Sequence, residues 1–134
     1  MADKDTNWAN AILDEEFGGQ ARSIPSSWYL QLTTTVPTAS TPGTQLSSSV
    51  VGRLAVVRNQ TNFPAASNGS IKNGVKLDFG TAGADAPANV KGVDFYDAST
   101  NGNRRRFGVL AAEKPITTGD PVYIAANGLT IQEA

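Results

Sequence analysis

Apolar and polar positions alternate strictly over residues 28–33, with Trp28, Leu30 and Leu32 on one side and Tyr29, Gln31 and Thr33 on the other. A period of two is that of a half-buried strand. The cleanest such run is residues 75–79, where Val75, Leu77 and Phe79 alternate with Lys76 and Asp78, which predicts one dry face and one wet one. Residues 53–58 read as a strand with Leu54 and Val56 on one face, and further strands are expected over 93–96, 104–112, 122–125 and 129–132. Ile24-Pro25 holds the chain extended before the first strand, and Pro115 ends the one that opens at Arg104. Pro64 lacks a ladder donor, so residues 62–67 are expected to cross over and tuck Phe63 into the core.

Only the N-terminus departs from this rhythm. Trp8, Ile12, Leu13 and Phe17 fall close to one face of a helix, Asp5 or Thr6 can cap it, and Gly18-Gly19 can end it. Residues 1–5 are polar and expected to fray. Glu15 and Glu16 lie near the helix C-terminus, where negative charge opposes the macrodipole. The chain therefore divides into a helical arm, residues 1–20, and a β domain, residues 21–134. The arm's apolar face must be covered, either by its own β domain or by a neighbouring protein. Five acids in the arm (Asp3, Asp5, Asp14, Glu15, Glu16) against Lys4 give it a net charge of −4, which suits a basic partner and is equally explained by a solvated surface.

With 13 Gly and 7 Pro, the elements must be short. Asn-Gly recurs at 68, 73, 101 and 127, and at least two of these four are expected to be tight hairpin turns. Residues 34–44 and 80–89 form longer loops. The sum is a mainly β fold, an antiparallel β-sandwich or jelly roll of seven to eight short strands with one short N-terminal helix. Alternating βα units are absent, which excludes the nucleotide-binding α/β folds.

Composition narrows the chemistry. A chain of 134 residues can bury a core without staples. It has no Cys and no His, so disulfides, thiolate nucleophiles, zinc-thiolate sites and histidine-dependent triads are all excluded. A net charge of −1 argues against a phosphate-backbone partner, and no specific nucleic acid is expected. No apolar run approaches the roughly 20 residues that span a bilayer, and the N-terminus has no signal-peptide pattern, so synthesis and retention in the cytoplasm, with no membrane partner, are expected.

Paired carboxylates are the one catalytic constellation left, with Asp78, Asp94, Asp97 and Asp120 as candidates. Asp97 and Asp120 stand in turns, Asp78 and Asp94 on expected wet faces, and Asp85, Asp97 and Asp120 do not match a calcium loop. No catalysis, metal or cofactor is therefore expected. Arg104-Arg105-Arg106 is the only charge cluster, read either as a contact for an acidic protein surface or as a hairpin end held in water. On an alternating strand Arg104 and Arg106 would share a face and Arg105 would take the other. The candidate partner-contact residues are thus Trp8, Ile12, Leu13, Arg104, Arg105 and Arg106. Trp28, Tyr29 or Tyr123 could instead form a carbohydrate-stacking platform, although Trp28 shares a face with Leu30 and Leu32 and core packing explains it more simply.

The order of short motifs along nearly the whole chain resembles a family of small tailed-bacteriophage structural proteins, filed as tail-fibre, minor tail or head-decoration proteins. The motifs are Phe17-Gly18-Gly19, Pro25, Trp28-Tyr29-Leu30-Gln31-Leu32, Asn62-Phe63-Pro64-Ala65-Ala66-Ser67 and Lys72-Asn73-Gly74. They continue with Phe95-Tyr96-Asp97-Ala98 and Gly102, then Phe107-Gly108-Val109-Leu110, Lys114-Pro115 and Thr118-Gly119-Asp120. The three arginines and the loop over residues 38–49 depart from the pattern. The resemblance implies a non-enzymatic virion component, present in many copies and bound to other virion subunits, as a dimer or trimer. A helical arm before a compact β domain could reach across a subunit boundary, so the first expectation is a cement or decoration protein on the capsid surface that binds and stabilises the major capsid protein shell. The alternative is a tail-fibre, minor tail or baseplate module, and a carbohydrate-binding module is the third. Removing residues 1–17 is expected to leave the β domain folded but impair assembly.

Overall fold

The computed structural model describes residues 2–133. Its elements run β1 (Ala2–Lys4), α1 (Thr6–Gly18), β2 (Ser27–Thr33), β3 (Leu54–Val57), β4 (Ser70–Lys72) and β5 (Leu77–Thr81). They continue as β6 (Val90–Tyr96), β7 (Arg104–Lys114), β8 (Pro121–Ile124) and β9 (Thr130–Gln132). Seven strands form one sheet in the order β3-β2-β6-β7-β1-β9-β4, and β5 pairs with β8 in a second. Every named pairing is antiparallel except β1 with β9.

The alternating run over residues 28–33 becomes the middle of the large sheet. Leu30 lies opposite Phe95 and Leu32 opposite Val93, so β2 and β6 present these four side chains to one face. They join Val56 of β3 and Leu77 and Val122 of the small sheet in a single buried cluster. Burial of this apolar surface is the main favourable contribution to folding.

Hydrophobicity alternates along β2, but burial does not: residues 30–33 are all buried. The polar side of the sheet is covered as well, by the long loop between β2 and β3. Gln31 Nε2 donates to the Leu46 carbonyl at 3.2 Å, and Asp94 accepts from the Gly43 N–H at 3.0 Å. A buried polar group costs free energy unless it is hydrogen-bonded, and these are. Strand and loop approach closely at Gly92. A Cβ there would come 2.5 Å from Pro37 Cδ and 2.9 Å from Thr33 Oγ1.

The mainly β, largely antiparallel expectation holds, with differences in detail. Nine strands are present among the described residues instead of seven to eight. The added ones are β4 and β1, and β1 occupies residues that were expected to fray. Ala2, Asp3 and Lys4 pair with Gly108, Phe107 and Arg106 of β7, which stabilises them through backbone bonds that local sequence does not report.

One of the four Asn-Gly pairs is a tight hairpin turn, fewer than the two expected: Asn68-Gly69 joins Ser67 to Ser70, while Asn101-Gly102 lies in the longer loop, residues 97–103, that joins β6 to β7. Asn68-Gly69 (φ 53° and 71°) and Asn101-Gly102 (φ 52° and 74°) both place two consecutive residues in the left-handed region, the signature of turns matched to strand twist. Asn127 also has a positive φ of 64°, but its turn carries the chain from the small sheet to the large one. Asn73 is buried and does something else. Its Nδ2 donates to the Val75 and Ala125 carbonyls, and its Oδ1 accepts from the Leu129 N–H.

Candidate interaction site

The arginine cluster begins at a β-bulge. Phe95 lies opposite Arg106 and Tyr96 opposite Arg104, so one step along β6 corresponds to two along β7. The shift sends Arg104 to the face of Asp94 and Arg106 to the face of Phe95. Arg104 and Arg106 therefore do not share a face, contrary to simple alternation.

Arg104 is only 6% exposed. Its Nε donates to Asp5 Oδ2 at 2.9 Å, its Nη1 to Asp94 Oδ1 at 3.2 Å and to the Thr41 carbonyl at 3.1 Å, and its Nη2 to the Thr38 carbonyl. One guanidinium thus ties the N-terminal arm, the long loop and the central sheet together. The fork of five donors fits such a task better than an ammonium would. Asp5 serves twice, since its Oδ1 accepts from the Asn7 N–H at the start of α1.

Asp94 is fully buried, not on a wet face as alternation suggested. Burial pushes its carboxyl above the ordinary carboxylate range, against the pull of the Arg104 charge and the Gly43 N–H. The native state thus holds the Asp94 proton to higher pH than the unfolded chain does, so its ionisation opposes folding at neutral pH. The remaining carboxylates proposed for catalysis hold local backbone, Asp97 and Asp120 in turns and the exposed Asp78 at a bulge in β5. Asp78 accepts from Gly80 N–H, Asp97 from Asn103 N–H and Asp120 from Thr117 N–H. Asp85 accepts from both the N–H and the hydroxyl of Thr118, which hold its carboxyl low.

Arg105 and Arg106 are half-buried and also engaged within the chain. Arg105 pairs with Asp97 at 3.2 Å and lies 4.7 Å from the centre of the Trp8 ring, and Arg22 lies 4.9 Å from the same ring. Arg106 pairs with Glu133 at 2.7 Å. Trp8, expected as a partner contact, is 2% exposed and meets Trp28 edge-on at 6.0 Å. Trp8 and Arg104 are therefore corrected from surface contacts to interior ones. A Trp at the start of an amphipathic helix faces the domain it belongs to when an aromatic partner and two cations are waiting there.

What α1 leaves outside is its C-terminal half. Ile12 is half-buried, but Leu13 is 54% and Phe17 84% exposed. They lie four residues apart and so on one stripe of the helix. Glu15 turns back to Arg22 at 2.9 Å, while Asp14 and Glu16 take part in no ion pair among the described residues.

Beside the buried half of the helix lies a cleft of about 390 Å³, walled by Trp28, Phe63, Ile71 and Ile131 and edged by Arg58 and Arg106. Sequence inspection did not find it. Its walls come from four separate segments, and no single segment carries a signal for it. Tyr123, offered as a stacking platform, is 48% exposed with Lys76 4.3 Å over its ring, while Trp28 packs against the core cluster.

Glu133 also lines the cleft. Partial burial alone would raise its carboxyl, but hydrogen bonds and charge from Lys4 and Arg106 outweigh this and hold it below its ordinary 4.5. A depressed carboxylate stabilises the native state above its unfolded value and ceases to as pH falls through the folded one. Acidification below about 4.5 is therefore expected to loosen β1 from β7 and β9. Protection of the Asp5 amide, which donates to the Arg105 carbonyl, should fall in that window relative to its intrinsic exchange rate at each pH, and Glu133→Gln should remove most of the pH dependence. Unchanged protection would show that the bridge does not hold β1.

No candidate metal cluster exists among the described residues, and no helix among them is long and apolar enough to cross a membrane. No curated protein matches the chain. A family model does match, over residues 4–132, from the last residue of β1 through β9. It describes a phage fibre protein, a non-enzymatic virion structural component, and so favours the fibre over the capsid surface that was the first expectation. With nearly all of its length matched, the chain belongs to the podophage GP4 fiber I protein gp80 family.

Proposed function

We propose that this chain is a structural subunit of a podophage tail fibre, built into the virion in several copies and attached through the uncovered half of α1. The family match over residues 4–132 carries the fibre assignment. The contact face follows from what remains outside: of the six candidate contact residues, Trp8 and Arg104 are buried and Arg105 and Arg106 have partners within the chain. Ile12 and Leu13 remain, extended by Phe17. Large apolar side chains grouped at a surface mark protein contacts more often than isolated ones do. No observation favours capsid cement or carbohydrate binding over this.

The test is localisation. Antibody fragments raised against the purified chain, imaged on intact particles by cryo-microscopy, should decorate the tail fibres. Decoration of the capsid shell would overturn the proposal.

A further inference from the structure

Helix α1 bears an unburied apolar knob at one end and borders an unfilled apolar cleft at the other, and the two carry opposite charge. The knob is Leu13 and Phe17 beside the carboxylates of Asp14 and Glu16, which are unpaired among the described residues. The cleft has Arg22, Arg58 and Arg106 against Glu133, a formal charge of +2 from three cations and one anion. Two donors there are unused among the described residues. The Arg58 guanidinium makes no hydrogen bond or ion pair, and Arg106 Nη1 is buried without an acceptor. A buried donor left unmade is costly and favours an incoming acceptor.

The chain's own knob cannot reach its own cleft. Trp8 lines the cleft, and Phe17 lies nine residues further along the helix, about 13 Å at the rise of an α-helix. We infer that the cleft receives the Leu13 and Phe17 knob of a second copy of this chain, with the knob's acids meeting Arg58 and Arg106. Knob and cleft are different patches, so the contact is head-to-tail. Such a contact closes into a ring or continues as a filament according to the rotation between copies. The inference rests on the proposal that α1 is the contact face, and it names the partner. Its failure would leave the fibre location untouched, because that is read on the particle.

Sedimentation velocity of the full chain provides the test, with thermal melts confirming that each variant folds. Phe17 and Arg58 are both exposed, so their replacement should leave the fold intact. The wild type should associate as concentration rises. Phe17→Ala and Arg58→Glu should each shift association to concentrations roughly tenfold or more higher. Mixed one to one, the two variants should form a heterodimer that grows no further, because only one intact knob and one intact cleft remain between them. A wild type that stays monomeric throughout would overturn the inference. So would variants that associate like the wild type, or a mixture that stays monomeric.

Discussion

Replacing Arg104 by Ala should destabilise the protein by about 3–5 kcal/mol, the usual consequence of breaking a buried ion pair from one side. The reason lies with Asp94, which is fully buried and would keep only the Gly43 N–H as a partner. The Thr38 and Thr41 carbonyls and Asp5 would lose their donors as well. For a chain of this size the loss corresponds to a fall in Tm of roughly 10–20 °C. Asp94→Asn in the Arg104→Ala background should recover much of it, because the stranded charge disappears while the amide oxygen can still accept from Gly43. Arg106→Ala offers the contrast. Its Glu133 partner is half exposed, with 50% of its side-chain surface in solvent, and such pairs contribute at most about 1 kcal/mol. Denaturant titration of the three variants decides the matter. An Arg104→Ala loss no larger than that of Arg106→Ala would mean that Asp94 is not stranded as described.

The residues that were legible from sequence are those whose structure is set by near neighbours. The alternation over residues 75–79 survived as buried and exposed positions, and that over 28–33 survived as a strand although both of its faces are covered, because a period of two is a property of the strand itself. The left-handed turns at Asn68-Gly69 and Asn101-Gly102 were likewise local. Positions set by distant partners were not legible. Ala2-Asp3-Lys4 has no strand character of its own and is ordered by β7 and β9, more than a hundred residues away. Arg104 reaches Asp5 across 99 positions, and the bulge that turns it inward leaves no mark that alternation could detect. The same holds for the cleft, where Trp28, Phe63 and Ile131 meet only after the sheets have formed.

Deleting residues 1–17 should abolish cooperative folding, the opposite of what the division into arm and domain suggested. Among the described residues, β1 is the only strand that pairs with both β7 and β9, so its removal detaches β9 and β4 from the rest of the large sheet. Trp8, 2% exposed, would leave Trp28 uncovered, and loss of a buried Trp side chain alone costs about 3–5 kcal/mol. Arg104 would also lose Asp5. Against a total stability of about 5–15 kcal/mol for a domain of this kind, little would remain. Circular dichroism melts of the truncated and full chains provide the measurement, with Trp8→Ala as the milder comparison. A cooperative melt of the truncated chain close to that of the full chain would show that the arm is dispensable to the fold. The expected failure has a consequence for function. Since the first part of the arm belongs to the sheet and core, an assembly defect in the truncated protein would report unfolding, not a lost contact. Only the uncovered end of α1, at Leu13 and Phe17, can be altered to separate the two.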